Sequence, residues 1–225
     1  MGRTDVDCLP YLLLKADASQ IPLKNNSVSL VIATPPGLGV KRRRKRDYCT
    51  SDQEEYDLLM TKFLKEATRI LKPCRHILLI SSRPERVKSK GARRVVFHVL
   101  QKRVSRGHWT HERIKSETFL THYVDMRNFP WWALSVRLYR NLILRYSEPG
   151  EIVAHIFSGS GNGGIAAIEL ARKPVLIDLL YQRQTRRRLD ERIKSIRPKI
   201  NLSIFPVERI GVPHLRHGKL AATSE

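Results

Sequence analysis

Apolar and polar positions change their period several times along the chain. Tyr11-Leu12-Leu13-Leu14 is a short apolar run that stops at Lys15-Ala16-Asp17, and Val28 to Ala33 (VSLVIA) is a second, preceded by the turn-forming Lys24-Asn25-Asn26-Ser27. Runs this short, without polar alternation, are expected of strands buried on both faces. From Ser51 the spacing becomes helical. Leu59, Phe63, Ala67, Ile70 and Leu71 recur at three- and four-residue steps, with Ser51 and Asp52 available as caps and Pro73 beyond the end. His76 to Ile80 (HILLI) returns to a buried strand, and Ile152 to Phe157, Val175 to Ile177 and Leu202 to Phe205 complete the apolar set. Helical stretches are expected over Ile165 to Arg172 and near Leu180 to Arg197. Strands alternating with helices predict an α/β sheet covered on both faces.

Between about Arg83 and Arg127 the character shifts to Lys, Arg, Ser and Thr, with scattered Val96, Phe97, Val99, Leu100, Trp109 and Phe119. This stretch reads as an insertion on the main sheet, dividing the chain into 1–82, 83–127 and 128–225. The tail after Arg209 is basic and has no clear period.

Charge narrows the function classes. Lys and Arg number 42 against 21 Asp and Glu, a net charge of +21, so the compact state repels itself and a polyanionic partner would relieve the repulsion. Nucleic acid fits best, because neutralised phosphates release counterions. A ribosomal-type protein or a solubilising surface are the bland alternatives. With 41% hydrophobic residues the chain can fill a core, which argues against wholesale disorder. No apolar stretch reaches the roughly 18 residues of a spanning helix. Met1 to Asp7 lacks the apolar run of a secretory signal, so a cytoplasmic, nucleoid-associated protein is expected. Cys8, Cys49 and Cys74 are far apart, with no zinc-type spacing, and no metal site is expected.

Two motifs carry chemistry. Phe157-Ser158-Gly159-Ser160-Gly161 follows a strand candidate and opens a helix, where glycines allow a sharp turn and close approach to the amides at the helix start. Asp178 ends the next strand, the position from which a carboxylate reaches ribose hydroxyls in a nucleotide-binding unit, or else caps the following helix. The second motif is Thr34-Pro35-Pro36-Gly37, directly after the strand Val28 to Ala33. Consecutive prolines fix an extended path and remove two donors. That the glycine turn comes late in the chain argues against a nicotinamide dehydrogenase.

Taken together, in this order, the motifs resemble the permuted β class of S-adenosylmethionine-dependent DNA amino-methyltransferases, over about Tyr11 to Arg197. Ala16-Asp17-Ala18 is similar to the family's Gly-Asp-Ala segment, and SVSLVIATPPG (Ser27 to Gly37) to its strand and catalytic tetrapeptide. Arg46-Asp47-Tyr48, Arg69-Ile70-Leu71-Lys72-Pro73 and His76 to Ser81 also match. Phe129-Pro130 with Leu134, Leu138 and Leu142 resembles the segment over the cofactor's methionine part, and Phe157 to Gly161 stands for Phe-x-Gly-Ser-Gly.

The resemblance implies a circularly permuted, Rossmann-like class I methyltransferase sheet with a small target-recognition insertion at 83–127. It implies a methyl group moved from S-adenosylmethionine to an exocyclic amino group of a flipped base in double-stranded DNA. Thr34, Pro35, Pro36 and Gly37 would be catalytic. Asp17, Phe129, Pro130, Phe157, Ser158, Gly159, Ser160, Gly161 and Asp178 would hold the cofactor. A hydroxyl at position 34 is closer to the Ser-Pro-Pro variants, which favours cytosine N4 over adenine N6. Lys41-Arg42-Arg43-Arg44-Lys45-Arg46, just after the tetrapeptide, would contact DNA phosphates, its bland alternative being a solvated loop. A second cluster, Arg183, Arg186, Arg187, Arg188 and Arg192, lies on an expected helix, where solvated surface is the competing reading. A homodimer is compatible with so short a recognition segment.

The sequence departs from the family at two positions. Gly37 replaces an aromatic residue that stacks on the target base, for which Tyr48, Trp131 or Trp132 could substitute. His155 replaces an acid near the cofactor's ammonium end. These departures motivate an alternative, a catalytically impaired methyltransferase-like protein that binds DNA. An RNA or protein methyltransferase on the same fold is a third reading.

Overall fold

The computed structural model describes residues 10–38, 52–80, 85–86, 92–105, 108–122 and 133–196. Its strands are β1 (Leu12–Lys15), β2 (Val28–Ala33), β3 (Leu71–Ile80), β4 (Glu85–Arg86), β5 (Ala92–Ser105), β6 (His108–His122), β7 (Ile152–Ile156) and β8 (Lys173–Asp178). The helices are α1 (Gln53–Ile70), α2 (Val136–Tyr146), α3 (Asn162–Glu169) and α4 (Gln182–Ile196). Among the described residues the strands form one eight-stranded sheet in the order β1-β8-β7-β2-β3-β5-β4, with β6 paired to the long β5. Pairing is parallel from β1 across to β3 and antiparallel beyond it. This is the α/β architecture expected from the alternating pattern, and the Rossmann-like sheet that the resemblance implies.

Every residue of β2 is buried, as a strand covered on both faces requires. Val31 and Ala33 join the core under α1, built on Phe63, Ala67 and Ile70, together with Ala154 and Ile156 of β7. Leu30 and Ile32 point the other way, to Leu138 and Leu142 of α2 and Ala166 and Ala167 of α3. A third cluster joins α3 to α4 through Ile165, Ile168, Leu189 and Ile193. Each Val, Leu, Ile or Phe side chain buried in this way is worth about 1.5–3 kcal/mol, and the alanines between them less, so the two-sided core is what holds the central strands in register.

α1 begins where Asp52 accepts hydrogen bonds from the N–H groups of Glu54 and Glu55, a cap worth about 1 kcal/mol. Ser51, the other expected cap, and Leu202 to Phe205 lie outside the described residues. β3 starts at Leu71, earlier than the apolar run at His76. Its pairing to β2 jumps from Val28–Leu71 to Leu30–His76, so the exposed Lys72 to Cys74, including Pro73, bulge out of the ladder. The stretch after Arg83 contributes β4, β5 and β6 to the sheet itself, through pairing of β5 with β3. Its anchor is a charged residue. Buried Lys102 donates to Asn26 Oδ1 at 2.7 Å and to the Leu71 carbonyl at 2.6 Å, and burial pushes its pKa down. No helix among the described residues is long and apolar enough to cross a membrane.

Candidate active site

β7 and β2 are adjacent and parallel, and the chain leaves them in opposite directions, from β7 by α3 to β8 and from β2 by α1 to β3. In open α/β sheets such a reversal leaves a crevice at the carboxyl ends of the strands. Thr34 lies there, its N–H donating to the Ile156 carbonyl at 3.4 Å, one residue before Phe157. On the other side of β7, the Ser158 N–H donates to the Ile177 carbonyl at 3.1 Å, and the Gly159 N–H to Asp178 Oδ2 at 2.7 Å. β1 pairs next, Lys15 opposite Asp178, and Asp17 follows in a turn that its own side chain closes on the Ser19 N–H. Asp17, Asp178, Phe157–Gly161 and Thr34–Gly37 therefore occupy four consecutive strand ends. Phe129, Pro130 and Lys41 to Arg46, like Tyr48, Trp131 and Trp132, lie outside the described residues.

The turn after β7 is tightly built. Phe157 has φ 57°, a left-handed conformation uncommon for a large side chain, with its ring edge-on to Phe63 at 5.3 Å. Gly161 has φ 77°, and a Cβ there would lie 2.6 Å from Thr185 Cγ2, so only glycine fits. Gly159, at φ 47°, faces open space; the nearest atom to a Cβ would be the Phe157 carbonyl oxygen at 4.0 Å. α4 braces the turn from outside. Thr185 donates to the Gly159 carbonyl at 2.7 Å, and Arg188 donates to the Ser160 carbonyl and, at 2.7 Å, to Asn162 Oδ1. Asn162 in turn donates to the Leu134 carbonyl at 2.7 Å. Ser158 Oγ is buried with no hydrogen-bond partner among the described residues.

Asp178 accepts from the N–H of Gly159 and, at 2.8 Å, from that of Leu180. Burial pushes its pKa up, against the pull of those N–H groups. The carboxylate thus belongs to the turn; α4 begins four residues later, at Gln182. Of the basic cluster on α4, Arg188 is engaged in the turn, Arg187 pairs with Glu191 at 2.8 Å and Arg192 with Glu169.

At the β2 end, Pro35 and Gly37 are buried and Thr34 and Pro36 half-buried. Thr34 Oγ1 lies 3.4 Å from the hydroxyl of Tyr139 on α2. The Tyr139 ring is tilted against the His155 imidazole at a centroid distance of 4.9 Å. His155 is 2% exposed, neither ring nitrogen has a partner among the described residues, and burial pushes its pKa down to about 3. A Cβ on Gly163 would stand 2.4 Å from its Nδ1, so the ring is packed beneath the first turn of α3.

Thr185, Arg188, Asn162 and Tyr139 were not legible as site residues. Thr185 and Arg188 sit three apart on one helical face, a spacing shared by many residues of α4. Tyr139 falls on the apolar side of α2 beside Leu138 and Leu142, where a core aromatic is the ordinary reading.

No protein-family model matches the chain, and no curated protein matches it in sequence. Solved structures do match in shape. A protein of Thermus thermophilus, described as a candidate DNA modification methylase, is 15% identical over 81% of this chain and 95% of its own, with a TM-score of 0.53. PvuII DNA methyltransferase, described as cytosine-N4-specific, is 14% identical over 83% and 94%, with a TM-score of 0.52. The chain shares their fold. The Thermus protein has also been solved in complex with S-adenosyl-L-methionine, and that structure matches with a TM-score of 0.52.

Proposed function

We propose that this chain is a DNA methyltransferase of the permuted class, moving a methyl group from S-adenosylmethionine to an exocyclic amino group of a flipped base. The observation that carries the reading is the meeting of the Thr34–Gly37 and Phe157–Gly161 segments at adjacent strand ends of the switch point. The folds of a cytosine-N4 methyltransferase and of a protein solved with S-adenosylmethionine support it.

The residues present fit the cofactor. Gly159 leaves open the space that a side chain would fill, Ser158 Oγ is buried without a partner among the described residues, and the Asp178 carboxylate keeps acceptor capacity beyond the N–H groups of Gly159, Leu179 and Leu180. Asp178 would accept the ribose hydroxyls and Asp17 would contact the adenine. The Ser158–Gly161 turn and the start of α3 would bind the methionine part, covered by Phe129 and Pro130. S-adenosylmethionine, when bound, supplies the methyl group in electrophilic form.

The protein's part is to prepare the nucleophile. The amino lone pair of cytosine or adenine is delocalised into the ring, and the group is hidden in a duplex until the base is flipped. Thr34 Oγ1 and the Pro35 carbonyl accept the two amino hydrogens, drawing the nitrogen towards a tetrahedral shape and freeing its lone pair. The protein's contribution is mainly positioning, with the two acceptors set on the side from which the amino hydrogens arrive. A threonine hydroxyl, unlike a carboxylate, does not take the proton, which passes to solvent after the N–C bond forms. That hydroxyl also leads us to favour cytosine N4. Lys41 to Arg46 would grip the phosphates in the nucleoid.

The test is incubation of purified protein with methyl-labelled cofactor and duplex DNA of varied sequence. Wild type should label the DNA and Thr34→Ala should label it far more slowly; no label from wild type defeats the reading. Gly37 and His155 favour a second reading, a module that binds DNA without chemistry. Calorimetry separates the two, since a pure binder has no need to retain cofactor affinity.

A further inference from the structure

We infer that Tyr139 is a positioning residue for the methyl-accepting corner, fixing the Thr34 hydroxyl in the orientation that receives the amino group; the inference rests on the methyl-transfer reading above. Tyr139 comes from α2, which no motif assigns to the target side, and its hydroxyl lies 3.4 Å from Thr34 Oγ1. Burial keeps the phenol protonated, with its pKa pushed up to about 12. Either hydroxyl can donate across this contact; because a buried phenol O–H without an acceptor is costly and a phenol donates more readily than an alkyl hydroxyl, we assign the donor to Tyr139 and the acceptor to Thr34. This uses one lone pair of Oγ1 and fixes the direction of the other.

The phenol is itself held. Its ring lies against the imidazole of His155, which is confined beneath Gly163 at the start of α3. A line of contacts, Gly163 to His155 to Tyr139 to Thr34, thus links the helix that opens the glycine-rich turn with the residue that receives the base. A threonine hydroxyl alone samples several rotamers, and only one places a lone pair on a given hydrogen. At 3.4 Å the bond is long for two hydroxyls, which suits a contact that tightens when the base enters.

Tyr139→Phe removes only the O–H and keeps the ring on His155. The inference expects kcat to fall about 10-fold, with KM for DNA and the cofactor Kd unchanged. In a Thr34→Ala background carrying residual activity, or in Thr34→Val if Thr34→Ala has none, Tyr139→Phe should add nothing further. The Thr34/Tyr139 cycle is also read by denaturant unfolding, where the two substitutions should be non-additive. Wild-type kcat in Tyr139→Phe overturns the inference, as does an equal loss in both Thr34 backgrounds, which would mark Tyr139 as structural only. Additive unfolding effects overturn it too. A wild-type chain that binds cofactor and transfers nothing removes the underlying reading, and the inference with it.

Discussion

On the β7 side of the crevice, every residue from Ser158 to Gly161 is tied by at least one backbone or side-chain hydrogen bond, to β8, to α4 or within the turn. On the β2 side, Thr34 is held by two contacts of 3.4 Å and by the stiffness of the prolines after it. The contrast matches what each side is proposed to handle. A cofactor that is the same molecule in every turnover is served by a rigid cradle, whereas a base that must swing out of a duplex needs a corner able to close on it. Substitutions on the cradle side should therefore reduce stability and cofactor affinity together, and those on the β2 side should reduce transfer with little loss of stability.

The largest effect is expected at Gly161. Gly161→Ala adds a left-handed penalty and a clash with Thr185 Cγ2, together about 3 kcal/mol, read by denaturant unfolding. Adding Thr185→Ser removes the offending methyl and should restore part of the loss. Next comes acid. His155 has a folded pKa of about 3, below its ordinary value near 6.5, so the unfolded chain takes up a proton that the folded chain refuses. Stability is fully present above pH 6.5 and falls as pH drops towards 3, by about 2 kcal/mol at pH 5. His155→Leu should flatten that limb in unfolding curves recorded across the range.

Arg188→Met leaves the Ser160 carbonyl and Asn162 Oδ1 without their donor, at a cost of about 1–2 kcal/mol and roughly a 10-fold rise in cofactor Kd by calorimetry. Thr34→Val is the smallest in stability, about 0.5 kcal/mol, yet should abolish most transfer. Equal stability losses for Arg188→Met and Thr34→Val would erase the contrast between the two sides.

The same contrast explains what the sequence disclosed. β2 was legible to the residue because burial on both faces leaves an uninterrupted apolar run, and the Gly and Pro punctuation after β2 and β7 is local chemistry that survives in one sequence. β5 and β6 were not legible as strands. Glu112 to Ser116 of β6 face solvent and show no alternation, while the buried anchor of β5 is a lysine. The braces of the turn were hidden for a different reason. Arg187 and Arg188 are neighbours in one basic run, but Arg187 projects to Glu191 and Arg188 into the turn, a distinction set by the phase of α4 against the sheet. The exchange of an acid for His155 reads as a lost ligand, and the structure gives the ring a packing role beneath Gly163.

Whether one crevice serves both cofactor and base is decided by nucleoside mass spectrometry of duplex DNA incubated with the protein and S-adenosylmethionine. Wild type should yield 4-methylcytosine, and Thr34→Ala only a small fraction of it. DNA bearing neither 4-methylcytosine nor 6-methyladenine after incubation with cofactor-bound wild type would contradict a shared crevice.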